Sequence, residues 1–533
     1  MENRALIAIF LSVAVLVLYS VLFPQQPPVN TEQPAKTSAA PGVSEAGPAP
    51  PPAEMPAGAV EGTPALDMQA PEKDITVETG LYTAVISSKG GVIKSWKLSE
   101  YKDEAGKPVE MAYPDYAVKP LLVVPGGMDA AHAGQMDYRS DKNRIKIDGG
   151  DGSAVLELSY YGADGRSVIK TLTFNSGTYA VGLDVAVHGF DGYKLLMGED
   201  FGSLTPMAGK GYGFVGPLIY VDGEFKEKGF VHWVSGLFGK SGEEKKDIRD
   251  YKGSAGWTGL TDKYFLAAVV PDGGIDAVVA TGATDWGYVG VEAPANGEPF
   301  KGLFYAGPKE YDILKATGHD LRKAVDFGWF TFIAKPLFVS LKFLHGLIGN
   351  YGWAIIIITF IIKLAFAPLT HKQQKSMKRM SALQPRINEL KEKFKGDPQR
   401  MNTEMMELYK KEKVNPLGGC LPMLVQIPVF IALYNVLNNA IELRHAPFAL
   451  WLVDLSAKDP YYILPVLMGV SMFVMQKMTP STMEPAQAKM MMFLPVVMTF
   501  MFISLPSGLV LYFTVSNLLS MAQQLYINKS AAA

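Results

Sequence analysis

Two hydrophobic patterns divide the chain. Between residues 74 and 320, apolar and polar residues alternate in short runs such as AVLELSYYG and RSVIKTLTF, and Gly-Gly, Asp-Gly and Asn-Gly pairs separate the runs. Such alternation is typical of β-strands, and the glycine pairs are typical of the turns between them. About sixteen candidate strands, with no helical periodicity between them, predict one large antiparallel sandwich over 74–320 rather than βαβ units.

Long apolar runs form the second pattern and predict six membrane-spanning helices. The first run follows Arg4 and ends before Pro24 without a small-x-small cleavage site, which indicates an uncleaved signal anchor over 1–23. From Pro24 to Pro71 the chain contains twelve of its 36 prolines and almost no large apolar side chain. This composition predicts a disordered tether over 24–73. The other predicted spans are 351–370, 417–440, 461–478, 490–505 and 508–527.

The distribution of charge sets the predicted topology. The segment 371–415 carries 12 Lys and Arg against 6 Asp and Glu, so we expect it on the cytoplasmic side. If the apolar stretch 324–347 also spanned the membrane, this basic segment would lie outside, so we interpret 324–347 as an amphipathic helix in the outer interface. Both termini and the loop 479–489 are then cytoplasmic, whereas the β domain and the loop 441–460 are extracytoplasmic.

Lys363 is the one charged residue of the predicted span 351–370. A lysine at the centre of a spanning helix costs roughly 2.5 to 3.5 kcal/mol, so such a residue usually faces a bundle interior or a wet cavity. The alternative is a lysine that extends its stem to the nearby interface, since Pro368 and polar residues follow within a few positions. This helix alone does not decide between the two interpretations.

The basic segment 371–415 predicts two helices that pack as an antiparallel hairpin. Apolar residues recur at helical spacing on both sides of Gly396-Asp397-Pro398, which combines a helix stop, an N-cap and a proline at the first helical position. Most of these apolar residues serve to hold the two helices together. The basic surface that remains suits anionic lipid headgroups or ribosomal RNA.

Several chemistries have no support in the sequence. The apolar runs of the six predicted spans contain no Asp or Glu, which argues against a proton relay or a carboxylate cation site. HExxH and GxSxG motifs are missing from the membrane part, and the single cysteine, Cys420, has no partner for a disulfide or a metal site. We therefore expect no cofactor and no catalytic residue. A lone cation above a basic hairpin favours a protein that accepts a polypeptide transiently, and the alternatives are a transporter or channel and an anchored periplasmic carbohydrate-active enzyme.

Four segments of the membrane part are distinctive: IIIITFIIKLAFAPLT, KKEKVNPLGGCLPMLVQIPVFIALYNVL, RHAPFALWLVDLSAKDPYYILPVLMGV and LPSGLVLYFTVSN. They resemble the corresponding segments of the YidC family of membrane protein insertases. The match covers roughly Trp353 to Ile527, and the anchor, tether and β domain also resemble the arrangement of Gram-negative members. The resemblance implies a multi-pass α-helical protein of the bacterial inner membrane, with a five-helix insertase core and a periplasmic all-β super-sandwich domain. It also implies a hydrophilic groove that is open to the cytoplasm and the lipid.

The same resemblance implies partners and site residues. The expected partners are nascent membrane proteins, the Sec translocon with its accessory subunits, the ribosome and membrane lipids, but not DNA. Lys363 takes the place of the groove's basic residue, which is arginine in many members. Lysine keeps the electrostatic attraction, but it cannot form the bidentate hydrogen bonds of an arginine. The positions that line the groove in the family correspond to Thr359, Gln426 and Tyr512. Because Phe513 follows Tyr512, the resemblance leaves open which of these two aromatic residues faces substrate. The hairpin residues expected to act in recruitment are Met377, Lys378, Arg379, Met380 and Tyr409.

Overall fold

The computed structural model describes most of the chain from residue 72 onward. The described ranges are 72–112, 118–150, 152–198, 201, 216–227, 249–280, 288–293, 298–394, 396–412, 421–478 and 485–530. The predicted anchor, the tether up to residue 71 and Cys420 lie outside these ranges. The described residues all belong to one compact unit that spans Pro64–Ala533.

The first part of the described chain is rich in β-strands, as the alternating pattern predicts. Eighteen strands occur within the described ranges, and all pairings are antiparallel except that of β1 with β6. The strands are β1 (Asp74–Glu78), β2 (Tyr82–Ser87), β3 (Ile93–Lys102), β4 (Pro108–Glu110), β5 (Leu122–Pro125), β6 (Arg144–Lys146), β7 (Ser153–Tyr161), β8 (Ser167–Asn175), β9 (Ala180–His188), β10 (Tyr193–Leu196), β11 (Gly216–Val221), β12 (Glu224–Glu227), β13 (Arg249–Gly253), β14 (Gly256–Thr261), β15 (Phe265–Pro271), β16 (Ile275–Ala280), β17 (Tyr288–Ala293) and β18 (Phe300–Pro308).

Three sheets share these strands. Two sheets have five strands each, in the orders β4-β3-β2-β1-β6 and β13-β16-β17-β10-β5, and the third has eight, in the order β12-β11-β14-β15-β18-β9-β8-β7. Large aromatic side chains fill the space between sheets; Trp96 of β3, for example, stacks on Tyr82 at 4.2 Å and meets the edge of Phe304 at 5.7 Å. The core therefore depends on side chains from strands that are far apart in sequence.

Strand β8 contains an exception to the alternation of apolar and polar residues. Its inward-facing row is Val168, Lys170, Leu172 and Phe174, and all four side chains are buried. Lys170 is 1% exposed, and its amine donates hydrogen bonds to the carbonyls of Gly90, Gly91 and Leu121 at 2.8 to 2.9 Å. This lysine thus connects the eight-stranded sheet to two loops of the β domain.

Helices dominate the second part of the described chain. Each of the four predicted spans after the basic segment contains a helix, from α7 to α10, and two described helices, α3 and α4, are long and apolar enough to cross a membrane. The helices are α1 (Ala130–Ala133), α2 (Tyr311–Thr317), α3 (Thr331–Ile348), α4 (Tyr351–Ala382), α5 (Gln384–Lys393), α6 (Pro398–Lys411), α7 (Leu421–Asn439), α8 (Ile463–Met478), α9 (Pro485–Phe502) and α10 (Ser507–Ser530).

Helix α4 extends beyond the span that the sequence predicts. The apolar run ends near Thr370, but the helix continues to Ala382 with Pro368 in its interior. Proline removes one backbone donor from the helical ladder without ending every helix, and the residues that follow are mostly good helix formers. Because a helix rises 1.5 Å per residue, the 32 residues of α4 extend over about 48 Å.

The predicted hairpin is formed by α5 and α6 beside the end of α4. Asp397 caps α6 as predicted, because its side chain accepts a hydrogen bond from the backbone N–H of Arg400 at 3.0 Å. A small separate core holds the hairpin together; it consists of Met380, Leu383 and Ile387, against which Met405, Leu408 and Tyr409 pack. The end of α4 is therefore part of the hairpin core.

Candidate functional site

Lys363 extends from α4 toward α10. Its amine donates a hydrogen bond to the hydroxyl of Ser520 at 2.8 Å, and that hydroxyl donates in turn to the carbonyl of Ser516 at 2.9 Å. Ser520 lies near the middle of α10, well away from either end of that helix. The amine therefore lies beside the middle of α10 rather than beside either of its ends.

The Lys363 amine has more donors than acceptors around it. A lysine ammonium carries three N–H donors, and among the described residues only Ser520 accepts from this one. The residue is partly buried, and the remaining donors have no acceptor among the described residues. A cation in this state can accept a further ligand without first breaking a saturated set of hydrogen bonds.

Tyr512 and Gln426 form a second polar contact between α10 and α7. The side-chain amide of Gln426 donates a hydrogen bond to the hydroxyl of Tyr512, whose side chain is 1% exposed. Phe513 packs against Phe430 at 5.0 Å and Phe502 at 4.8 Å. The structure thus places Tyr512 and Phe513 on adjacent sides of α10, where both contact other helices.

Thr359 lies one turn before Lys363 on α4. The residue is 1% exposed, and its hydroxyl donates to the carbonyl of Ile355 at 2.6 Å, one turn further back. A threonine that bonds to its own helix satisfies its hydroxyl without a partner from another helix. In this structure Thr359 is a buried neighbour of Lys363 and does not contact the amine.

A row of polar residues on α10 is missing from the sequence-based set of candidates. Besides Ser516 and Ser520, the amide of Gln523 donates to the carbonyl of Ala367 on α4 at 3.4 Å, and Asn517 donates to the hydroxyl of Ser471 on α8 at 3.1 Å. The spacing of 516, 520 and 523 is that of one helix face. This spacing within an apolar run is the signal that predicts a polar strip along α10.

Two asparagines of α7 contact the segment that precedes α3. Asn435 donates to the carbonyl of Phe327 at 3.1 Å, and Asn439 donates to the carbonyl of Asp326 at 2.9 Å. Both amides therefore fix the segment that precedes α3. Gln426, by contrast, contacts a predicted site residue, Tyr512.

The hairpin residues fall into two groups. Met380 and Tyr409 contribute to the hairpin core, and Met377 accepts a long contact from the amide of Gln373 at 3.9 Å. Arg379 is exposed, whereas the amine of Lys378 donates to the carbonyl of Ile527 at the end of α10 at 3.4 Å. The surface of the hairpin is thus basic and its interior is apolar.

The described residues offer little that could bind a metal ion. Within them, no three His, Cys, Asp or Glu side chains come together as a possible ligand set. The candidate site is therefore a partly buried cation with one hydroxyl partner, next to a helix interface that contains a tyrosine–glutamine contact.

Comparisons with known proteins cover nearly the whole chain. A family model described as the 60Kd inner membrane protein matches residues 343–533, and one described as the YidC periplasmic domain matches 74–340. The chain is 42% identical to the "Membrane protein insertase YidC" of Geobacter metallireducens, with 100% of this chain and 99% of the relative covered. It is also 42% identical to the protein of that name from Geotalea uraniireducens, with 99% of each covered.

Among solved structures, the chain is similar to one described as an active YidC insertase crystal structure with the first transmembrane domain resolved. The two are 19% identical, with 85% of this chain and 92% of the other covered, and the TM-score is 0.38.

Proposed function

The chain belongs to the YidC family of membrane protein insertases, and on this premise we propose that Lys363 is the residue that draws the polar tail of an incoming chain into the membrane core. The protein inserts membrane proteins into the inner membrane. The observation that supports a role for Lys363 is its unsaturated amine, which has a single hydroxyl partner among the described residues.

The proposed mechanism uses the spare donors of Lys363. The polar tail of a nascent membrane protein loses hydration when it enters the core, and an ammonium with free N–H groups replaces part of that hydration. The adjoining apolar segment then moves along the helices into lipid. Transfer of apolar surface from water supplies about 25 cal/mol per Å2, so the step needs no nucleotide. Catalytic residues and cofactors have no part in this mechanism.

Ser520, Thr359, Gln426, Tyr512 and Phe513 complete the proposed groove. Ser520 orients the amine from the α10 side, whereas Tyr512 and Gln426 hold α7 against α10 through their hydrogen bond. Phe513 supplies apolar surface between α7 and α9. We propose that the polar tail contacts the Lys363 end of this groove, and the apolar segment contacts its aromatic end.

The proposed membrane arrangement has six spans, with the anchor over 1–23 as the first and α4 and α7 to α10 as a five-helix core. We assign α3 to the outer interface, although it is long enough to span, because apolar side chains are exposed along it and because the charge of 371–415 requires it. The β domain, which we propose to be a super-sandwich, is then periplasmic. The exposed apolar residues in and just before α3 are Trp329, Phe332, Val339, Phe343 and Leu347.

The hairpin of α5 and α6 is the proposed contact for the ribosome. Basic residues of this hairpin and of the adjoining end of α4, where Arg379 is exposed, suit the phosphate groups of ribosomal RNA. Lys378, also on α4, connects this surface to the end of α10. The Sec translocon with its accessory subunits is a further proposed partner, with which the protein acts when it does not act alone.

The test replaces Lys363 by Glu and, as a matched control, by Arg in a strain depleted of the native protein. Arginine keeps the positive charge, so we expect Lys363→Arg to support growth and insertion of a reporter membrane protein. Lys363→Glu reverses the charge and should abolish both. If Lys363→Glu supports insertion as well as Lys363→Arg at equal protein levels, the electrostatic role is wrong.

A further inference from the structure

The loop between α7 and α8 exposes apolar side chains in an unusual concentration. We name residues 446–453 the outer loop; its sequence, APFALWLV, contains no charged residue. Leu450 is 87% exposed and Val453 is 67% exposed. Isolated exposed apolar residues are common on protein surfaces, but here both occur in one short loop.

The backbone of the outer loop bonds to itself. The N–H of Phe448 donates to the carbonyl of Leu452 at 2.9 Å, and the N–H of Leu455 donates to the carbonyl of Ala446 at 3.0 Å. Leu450, at the tip, adopts a left-handed conformation with φ of 55°, which a mobile leucine would avoid. These internal hydrogen bonds lower the cost of moving this part of the backbone into an apolar environment.

The start of α4 fixes the position of the outer loop. The side-chain amide of Asn350 donates to the carbonyls of Pro447 and Phe448 at 3.3 and 3.0 Å. The ring of Phe448 meets Trp353 edge-on at 5.8 Å and approaches Gly352 so closely that a Cβ there would lie 2.0 Å from the ring. The tip therefore has a defined place at the end of α4 that is farthest from the basic hairpin.

We infer that the outer loop inserts Leu450 and Val453 into the boundary between headgroups and acyl chains of the leaflet opposite the basic hairpin. This inference rests on the proposed membrane arrangement. The occupant is lipid because the loop joins two helices of the proposed membrane core, and α8, which follows it, also exposes apolar side chains at Val466 and Leu467. Exposed Trp353 contacts the loop through Phe448, and exposed Tyr461 and Tyr462 stand just before α8; such residues are typical of a membrane interface.

An inserted outer loop sets the depth of the candidate site. Because Asn350 and Phe448 connect the loop to the first turn of α4, the loop opposes movement of that helix along the membrane normal. Lys363 lies on the same helix, so its amine is held at a fixed distance from the outer leaflet.

The test places a fluorescent NBD label in the outer loop of the full chain in lipid nanodiscs. The single native cysteine is removed by Cys420→Ser, and the label is attached at Leu450→Cys or, independently, at Val453→Cys. Ala163→Cys, in the exposed turn between β7 and β8, is the aqueous control, and Phe493→Cys, exposed on α9, is the lipid control. Quenching is measured with iodide in water and with lipids that carry a nitroxide near the headgroup or on the acyl chain.

An inserted loop gives a specific pattern of quenching. We expect lipid nitroxides near the headgroup to quench the label at 450 at least about twofold more than the label at 163, and iodide to quench it at least about twofold less. Iodide quenching equal to that at 163 would show that the tip lies in water and would overturn the inference. Protection from both quenchers would show that protein covers the tip, and would overturn it as well. The measurement requires no insertion activity, so its outcome is independent of the role of Lys363.

Discussion

Lys170 in the β domain and Lys363 in the membrane core are both lysines among largely apolar neighbours, but their amines differ in the number of acceptors. Three carbonyls accept from Lys170, which also lies over the ring of Tyr138 at 4.6 Å. One hydroxyl accepts from Lys363 among the described residues. When protonated, the Lys170 amine donates all three of its N–H groups, whereas the protonated Lys363 amine has two N–H groups without an acceptor among the described residues.

This difference separates a structural cation from the one to which we assign a function. The carbonyls of Gly90, Gly91 and Leu121 lose their partner if Lys170 is removed, so the β domain depends on that side chain for its internal hydrogen bonding. Ser520 keeps its own bond to the carbonyl of Ser516 if Lys363 is removed, so the core loses little. We expect mutation to affect stability at the first site and insertion at the second.

The largest expected effect is on the stability of the β domain in Lys170→Met. Each buried carbonyl left without a donor costs about 1 to 3 kcal/mol, so the β domain should lose about 3 kcal/mol or more. Lys363→Met should leave α4 and α10 as stable as in the native protein, because it removes a costly charge from the core. Hydrogen exchange followed by mass spectrometry measures the protection of backbone amides in peptides from β8 and from α4 in the same sample. The comparison fails if β8 keeps its protection in Lys170→Met, or if Lys363→Met destabilises α4 by a similar amount.

A smaller effect is expected for Ser520→Ala. A hydrogen bond to a charged group contributes about 1.5 to 3 kcal/mol, and its loss leaves the Lys363 amine present but less well oriented. We expect a reporter membrane protein to be inserted about threefold to tenfold more slowly. A reporter with an acidic tail should still be inserted faster than one with a neutral tail. Thr514→Val is the matched control, because Thr514 also donates to its own helix but does not contact the lysine. Equal rates in the two variants would contradict a role for Ser520.

A separate effect on the same domain is the pH dependence of its stability. Burial lowers the pKa of the Lys170 amine to about 7 from the ordinary value of 10.5. Between these two values the unfolded chain binds more protons than the folded one, so the contribution of this residue to stability rises with pH by about 1 kcal/mol per unit. The difference in β8 protection between the native protein and Lys170→Met, measured at pH 7 and pH 9, should therefore increase. A constant difference would mean that the amine stays charged throughout.

The sequence predicts the elements better than the contacts between them. Strand alternation and the Asp397 cap depend on neighbours within a few residues, so both are readable from local pattern. The partner of Lys363 is 157 residues away, and its identity depends on which helix packs beside α4. Lys170 occupies an inward position of a plainly alternating strand, which is a detectable signal, but its acceptors are backbone carbonyls that no side-chain pattern reveals. The extension of α4 past Pro368 is likewise decided by packing in the hairpin core.

The most direct test of the central claim measures how Lys363 and the charge of the incoming tail depend on each other. Reporter proteins that differ only in a short acidic or neutral tail are inserted into proteoliposomes containing the native protein or Lys363→Met. We predict that the acidic tail gives faster insertion with the native protein, and that this advantage disappears with Lys363→Met. An advantage of the same size with both proteins would contradict the account.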